Sequence, residues 1–275
     1  MITFPDDVKA AYSRSKNIIR KTPLDHSPSL SNIIDGEVYL KLDNIQKTGS
    51  FKFRGAISKM TSLNEKQRKK GVVTASTGNH GAAVSLGMKI LGINGSIIVP
   101  ENIAPNKVEN INNLGGTVEY YGNDCLEAEQ RAQEISVTTG AIYISPYNDP
   151  VIVAGQGTMG VELDEDLSNI DTVIVAVGGG GLISGIGGYL KTVQPKVEMV
   201  GCSPKNSCVM YESLQAGRIL DLPSKPTLSD GTAGGIEENS ITFEICKKII
   251  SDFVLLTEDE IAAGIRNGLE DHHQL

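Results

Sequence analysis

The chain has 275 residues, of which 40% are hydrophobic and 21% are charged, values typical of globular proteins. Its formal net charge of −8 argues against nucleic-acid binding, because a phosphate backbone needs a basic protein surface to replace its counterions. No apolar run approaches the ~18 residues of a membrane span, and the acidic N-terminus lacks the apolar stretch of a signal peptide. We therefore predict a cytoplasmic protein that binds neither nucleic acid nor a membrane.

Short β-branched runs alternate with longer amphipathic runs along the chain. The predicted strands are residues 38–42, 72–75, 96–99, 117–121, 141–144, 172–177, 197–202 and 253–256. Helical patterns follow most of them, for example at 79–91, 105–114, 124–139 and 182–193, and Gly92, Gly115 and Gly140 stand where three helices should end. This alternation predicts an α/β fold with parallel, doubly wound sheets, and the length favours two lobes. Ligands of such sheets bind beyond the carboxyl ends of the strands.

A glycine-rich turn follows the apolar run at 172–177. That run is typical of a strand buried on both faces. The turn consists of Gly178, Gly179, Gly180 and Gly181, and a helix follows. Successive backbone N–H groups and the positive end of the helix can bind one phosphate there. The spacing fits neither the dinucleotide pattern G-x-G-x-x-G nor a P-loop, and a tight turn without ligand is the alternative.

A lysine stands at the start of a predicted helix. Ser50 is a plausible N-cap, which places Lys52 in the first turn, beside the aromatic ring of Phe51. The positive end of the helix disfavours a cation there and lowers the pKa of the amine, as a Schiff-base lysine requires. A solvent-facing lysine is the alternative.

A polar turn follows the strand predicted at 72–75. Ser76, Thr77, Asn79 and His80 supply side-chain and backbone donors that suit a carboxylate or an oxyanion. A helix-capping motif without ligand is the alternative. For His80, a packing role and direct contact with substrate remain equally open.

Together, residues 48–56, 76–81 and 178–182 resemble the motifs of the fold type II pyridoxal-phosphate enzymes, in the group of serine/threonine dehydratases and serine racemases. The resemblance extends from residue 18 to the end of the chain. The segments 76–80, 145–150 and 229–236 are most similar to the hydroxyectoine-utilisation dehydratase branch of that group.

The resemblance implies a two-lobed fold like that of the tryptophan synthase β subunit, in a homodimer. Residues 1–60 with 145–275 would form the large cofactor-binding domain, and residues 61–144 the smaller substrate-side domain. The activity implied is elimination of the β-hydroxyl from a small amino acid such as L-threonine or L-serine, which gives an oxo acid and ammonia.

The resemblance also implies roles for individual residues. Lys52 would carry pyridoxal phosphate covalently and then move the Cα proton of the substrate. The implied cofactor-binding residues are Phe51, Lys52, Asn79, Gly178, Gly179, Gly180, Gly181 and Leu182, and the implied substrate-binding residues are Ser76, Thr77, Asn79, His80 and Gly231. Thr77 stands where serine racemases carry a catalytic serine on the opposite face of Cα. Its methyl group and stiffer χ1 favour elimination over racemisation.

The sequence departs from the group at two places. Ser203 replaces the acidic residue of an optional cation site, so we expect no such metal site, because a hydroxyl is a poor ligand for Mg²⁺ or Ca²⁺. The chain also ends where relatives continue into a last strand and helix, so we expect a truncated C-terminal part. The missing part makes an inactive cofactor-binding homologue an alternative to the lyase. A racemase of the same group is the nearest rival. A β-replacement enzyme is less favoured, because those relatives carry threonine at the position of His80.

Overall fold

The computed structural model describes residues 2–274 of the chain. The α-helices are α1 (Asp6–Ser15), α2 (Pro28–Ile34), α3 (Lys52–Thr61), α4 (Glu65–Lys70), α5 (Asn79–Leu91), α6 (Pro105–Asn113), α7 (Cys125–Thr139), α8 (Pro150–Gln156), α9 (Thr158–Asp166), α10 (Gly181–Val193), α11 (Val209–Ala216), α12 (Ile241–Ile249) and α13 (Glu258–Glu270). The strands are β1 (Leu24–His26), β2 (Tyr39–Lys41), β3 (Val72–Ala75), β4 (Gly95–Val99), β5 (Val118–Tyr120), β6 (Ile142–Tyr143), β7 (Thr172–Ala176), β8 (Glu198–Pro204) and β9 (Ile250–Leu256). Short 3-10 turns lie at Asp43–Ile45 and Asp230–Thr232.

The first parallel sheet has the strand order β5-β4-β3-β6 and is covered on both faces. Val72 and Ile97 point into one apolar cluster with residues of α3 and α5. Val73 and Ile98 point into the opposite cluster, with residues of α7. Successive side chains of a strand face opposite sides, so a sheet buried on both faces needs continuous apolar strands. The predicted parallel α/β arrangement is confirmed here.

The second parallel sheet has the order β7-β8-β9 and is covered on one face. Val175 and Met199 are buried in a core shared with α10 and α12. On the other face Ile174 is 70% exposed and Val254 is 43% exposed. The prediction that residues 172–177 are buried on both faces is therefore wrong. An apolar run shows that a strand is suited to burial, but whether anything covers each face depends on the tertiary structure.

This difference between the two faces of β7 gives a direct test of the fold. We expect Ile174→Ser to change the free energy of unfolding by no more than about 0.5 kcal/mol, because the side chain is mostly in solvent. Val175→Ala, one residue further along the strand and 6% exposed, should cost about 2 kcal/mol through lost packing. Urea denaturation of both variants measures these changes. Equal losses at the two positions would contradict the described face of the sheet.

The helix ends agree with the glycine pattern. Gly92 and Gly140 follow α5 and α7 with left-handed φ values of 61° and 74°, and Gly115 lies just beyond α6 with φ 90°. The predicted stops are confirmed, because such φ values strain residues that carry a Cβ. One strand was not predicted: β1 pairs antiparallel with β2 over three residues, too short to show a period. In the residues described, no helix is both long and apolar enough to cross a membrane.

Candidate active site

Lys52 is the first residue of α3, so its predicted place in the first helical turn is confirmed. Its side chain is partly buried, and Nζ donates a hydrogen bond to the carbonyl oxygen of Pro146 at 3.0 Å. Nζ also lies 5.3 Å from the centroid of the Phe51 ring. Phe51, not Ser50, occupies the N-cap position, so the predicted cap by Ser50 is wrong. The buried Oγ of Ser50 has no hydrogen-bond partner within residues 2–274.

The amine of Lys52 is suited to act as a nucleophile or base. Burial lowers the pKa of Lys52 to about 8, because the cation loses its hydration there. At pH 7, about a tenth of such amines are neutral, whereas the ordinary pKa of lysine leaves far less than a hundredth neutral. The neutral fraction is the form that reacts with an aldehyde.

The four glycines form the turn between β7 and α10. Gly180 has a left-handed φ of 79°, and Gly180 and Gly181 are buried. The backbone N–H groups of Gly178, Gly179, Gly180 and Gly181 have no hydrogen-bond acceptor in the described part of the chain. Buried N–H groups are nearly always paired, so unpaired ones at a helix N-terminus fit a bound anion. The turn thus fits the phosphate that the sequence predicts.

Close packing is a second reason why this turn consists of glycine. A Cβ on Gly178 would lie 2.6 Å from the carbonyl oxygen of Thr232, and one on Gly179 would lie 2.6 Å from the ring of Tyr147. Tyr147 directly follows Pro146, which binds the Lys52 amine. Two consecutive residues therefore contact the lysine and the glycine turn, and place both at one site.

The polar turn after β3 reaches the same site from the other sheet. Asn79 begins α5, and its Nδ2 lies 3.9 Å from the position of a Cβ on Gly231, the residue before Thr232. Ser76 Oγ accepts a hydrogen bond from the N–H of Gly78 at 3.2 Å. Thr77 beside it is partly exposed. The structure thus brings the polar turn and Gly231 together, next to the glycine turn.

His80 is buried, with 4% of its surface exposed. Its Nε2 donates to the carbonyl oxygen of Ile144 at 2.9 Å. Burial, together with the charge of Lys52, lowers the pKa of His80 to about 3, so the imidazole is neutral. Of the two roles left open, the side chain takes the packing role. A contact with substrate would have to use the backbone N–H of His80 in the first turn of α5.

Two residues that the sequence analysis singled out, Leu182 and Ser203, lie at the edge of the site. Leu182, in the first turn of α10, is partly buried and packs against the core, which leaves its backbone for a ligand contact. Ser203 Oγ donates to the carbonyl oxygen of Val177 at 2.5 Å, joining β8 to the end of β7. Across residues 2–274, no group of three or more His, Cys, Asp or Glu side chains could hold a metal ion.

Sequence reasoning did not assign roles to Pro146, Tyr147 or Thr232. Pro146 and Tyr147 follow β6 at its carboxyl end, where ligands of parallel sheets bind, and that position was the available signal. Thr232 lies next to Gly231, but its contact with Gly178 joins residues more than fifty positions apart. No local pattern shows such a contact.

Comparison with known proteins identifies the family. The model of the family described as pyridoxal-phosphate dependent enzymes matches residues 16–275. The chain belongs to this family. Pyridoxal phosphate, the cofactor predicted from the resemblance, is therefore confirmed as the family's cofactor, and the unpaired N–H groups of the glycine turn suit its phosphate.

Two curated relatives illustrate the similarity. The L-threonine ammonia-lyase of Thermotoga maritima is 44% identical over 265 residues, which cover 96% of this chain and 66% of the relative. The L-threonine dehydratase catabolic TdcB of Escherichia coli K12 is 39% identical over 93% of this chain and 78% of the relative. The chain thus spans about two thirds to four fifths of these relatives.

Solved structures agree with the fold. Maize serine racemase superposes with a TM-score of 0.93 at 32% identity, covering 98% of this chain and 81% of that one. The processed threonine deaminase isoform 2 of Solanum lycopersicum gives a TM-score of 0.91 at 32% identity, covering 100% of this chain and 81% of that one. The predicted fold type II architecture is confirmed, and so is the resemblance to threonine dehydratases and serine racemases. The likeness to the hydroxyectoine branch stays a prediction.

Proposed function

We propose that this chain is a lyase that removes the β-hydroxyl group of a small hydroxy-amino acid and releases an oxo acid and ammonia. One observation carries the proposal: the amine of Lys52, with its lowered pKa, is joined through Pro146 and Tyr147 to a glycine turn with four unpaired N–H groups. An amine and an anion cradle at one site are what a phosphorylated aldehyde requires. The names of the two curated relatives support threonine as a substrate.

When bound, pyridoxal phosphate supplies the electron sink that makes a Cα proton removable. Lys52 would hold it covalently, and the N–H groups of Gly178 to Gly181 would hold its phosphate. Phe51 would pack against its ring, and the side chain of Asn79 would bind its ring hydroxyl. The 5.3 Å between Nζ of Lys52 and the Phe51 ring, and the approach of Asn79 Nδ2 to Gly231, support these assignments.

The substrate carboxylate would bind at the polar turn after β3. Ser76 Oγ and the backbone N–H groups of the first turn of α5 offer donors at a positive helix end. With the carboxylate held there, Nζ of Lys52 would take the Cα proton, because a neutral amine is available near pH 8. The β-hydroxyl would then leave as water, with the proton that Lys52 has taken, and the electron pair of the broken Cα–H bond would form a Cα–Cβ double bond. Hydrolysis of this unsaturated product would give the oxo acid and ammonia.

Thr77 favours elimination over the rival function, racemisation. A racemase needs a second group that delivers a proton to the opposite face of Cα, and maize serine racemase shares the fold. Thr77 retains a hydroxyl, but its branched side chain has restricted rotamers. We propose that elimination predominates in this chain.

Turnover assays test the proposal. The purified chain, supplied with pyridoxal phosphate, is incubated with L-serine, L-threonine or 3-hydroxyaspartate, and ammonia, oxo acid and D-amino acid are measured. We expect ammonia and oxo acid in equal amounts from at least one substrate. D-amino acid as the main product would establish the racemase instead. Bound cofactor without turnover of any of the three would establish the inactive homologue.

Four further predictions accompany this function. We propose that residues 1–60 with 145–275 form the cofactor-binding domain and residues 61–144 the substrate-side domain. The two parallel sheets support this division, because they lie in residues 72–143 and 172–256. A homodimer and the likeness to the hydroxyectoine-utilisation dehydratase branch stay predictions from the resemblance, and a cytoplasmic location stays a prediction from the composition of the chain.

A further inference from the structure

A buried cluster of charges lies two residues after Lys52. Arg54 has 0% of its surface exposed. Its guanidinium donates to both carboxylate oxygens of Asp43 at 2.7 and 2.8 Å, and to both oxygens of Glu162 at 2.6 and 2.9 Å. The ammonium of Lys41 lies 2.7 Å from Glu162. Two cations thus balance two carboxylates, in a site almost without solvent.

The cluster joins elements that are far apart in the sequence. Asp43 lies in the 3-10 turn after β2, Glu162 lies in α9, and Arg54 lies in the first turn of α3. Burial alone would lower the pKa of Arg54, but its hydrogen bonds to Asp43 and Glu162 raise the pKa overall. Arg54 therefore stays charged. Paired bidentate bonds fix both distance and direction, which a lysine ammonium cannot do.

The first turn of α3 lacks the usual means of fixing a helix start. The N-cap residue Phe51 makes no side-chain capping bond, and the Oγ of Ser50 has no partner in the part of the chain described. Lys52 itself is a cation at the positive end of the helix, which is unfavourable. The hydrogen bonds of Arg54 to Asp43 and Glu162 hold this first turn, which carries Lys52, in place.

We propose that Arg54 is a positioning residue, which holds the first turn of α3 so that Nζ of Lys52 stays in its desolvated place against Pro146. The inference rests on the proposed function only in giving Lys52 its role toward the cofactor. It predicts that loss of the hydrogen bonds of Arg54 to Asp43 and Glu162 exposes Nζ of Lys52 to water. The reactivity of Lys52 should then change, apart from any loss of stability.

The test uses two variants and a control. Arg54→Met combined with Glu162→Gln removes one cation and one anion. Lys41 and Asp43 remain, so the net charge of the cluster is unchanged. Arg54→Lys keeps the charge but loses the bidentate bonds. Lys59→Met is the control, because it removes an ion pair with Asp149 from the same helix, two turns from Lys52. Gly55 packs closely on Gln156, and none of the three variants changes this contact. We therefore expect α3 to stay in place in all three variants.

The readout is the pH midpoint for acylation of Lys52 in cofactor-free protein, measured by mass spectrometry of its peptide. The wild type and Lys59→Met should show a midpoint of about 8. In the double variant the midpoint should shift toward the ordinary lysine pKa of about 10.4. In Arg54→Lys the midpoint should lie between those of the wild type and the double variant. The fraction of pyridoxal phosphate trapped on Lys52 by borohydride should fall about tenfold or more in the double variant, since small misplacements of a reacting group are costly.

An unchanged midpoint in a double variant that remains folded by circular dichroism overturns the inference, whatever its melting temperature. If the double variant does not fold, Arg54→Lys decides by the same midpoint. A wild-type midpoint near 8 without any cofactor trapping would refute the proposed function but not the positioning role. The two failures are therefore distinguishable.

Discussion

Lys52→Ala is expected to abolish covalent attachment of pyridoxal phosphate and to lower the rate of ammonia release by about 1,000-fold or more. The reason is chemical, because alanine can neither bond to the aldehyde nor accept the Cα proton. Borohydride reduction followed by mass spectrometry of the peptide spanning residues 48–56 measures attachment. A coupled assay measures ammonia.

Lys59→Ala is the matched control for this experiment. Lys59 lies on the same helix, two turns from Lys52, and forms an ion pair with Asp149 at 2.5 Å. The control should retain cofactor attachment and turnover, with a loss of stability of about 1–3 kcal/mol, because the two side chains are only 18% and 17% exposed and Asp149 loses its ion-pair partner. Cofactor trapped on Lys52→Ala in the same yield as on the control would refute the role of Lys52.

Gly178→Ala is expected to weaken binding of pyridoxal phosphate by about tenfold or more, equivalent to about 1.4 kcal/mol. The added methyl group would lie 2.6 Å from the backbone oxygen of Thr232, so either the glycine turn or the loop at Thr232 must move. The four N–H groups would then no longer converge on one phosphate. We also expect the free energy of unfolding to fall by about 1–3 kcal/mol, as in other overpacked sites. Absorbance titration with the cofactor and urea denaturation measure the two effects.

Gly264→Ala provides the comparison for this substitution. Gly264 is exposed in α13, and a Cβ there would have no neighbour within 4 Å. Alanine should stabilise the helix by about 0.5–1 kcal/mol and leave cofactor affinity unchanged. If Gly178→Ala behaved like Gly264→Ala in both measurements, the glycine turn would not be the phosphate site.

Several elements could be predicted closely because their signals are local. The strand at 72–75 and the helix at 79–91 were predicted with their observed bounds, since a run of β-branched residues and a terminal glycine mark them. β1 was missed because three residues show no period, and its partner β2 lies thirteen positions further along the chain. The exposed face of β7 was missed because hydrophobicity does not show what lies above a strand.

Within the site, the sequence identified the reactive types of residue but not their surroundings. The lysine, the glycine turn and the polar turn were recognisable as motifs. The contact of Lys52 with Pro146 and that of Gly179 with Tyr147 were not, because both join segments that only folding brings together. His80 shows the limit most clearly, since its two possible roles differ only in which way the ring points.

By itself, the sequence determined the α/β alternation, the position of the glycine turn, and the family to which the motifs point. These features depend on backbone conformation and on spacing of a few residues, which neighbouring residues specify. The tertiary structure alone decided the desolvation of Lys52, the neutral state of His80 and the burial of Arg54 between two carboxylates. Each of these depends on loss of water around a charge, and that loss is produced by segments distant in the chain.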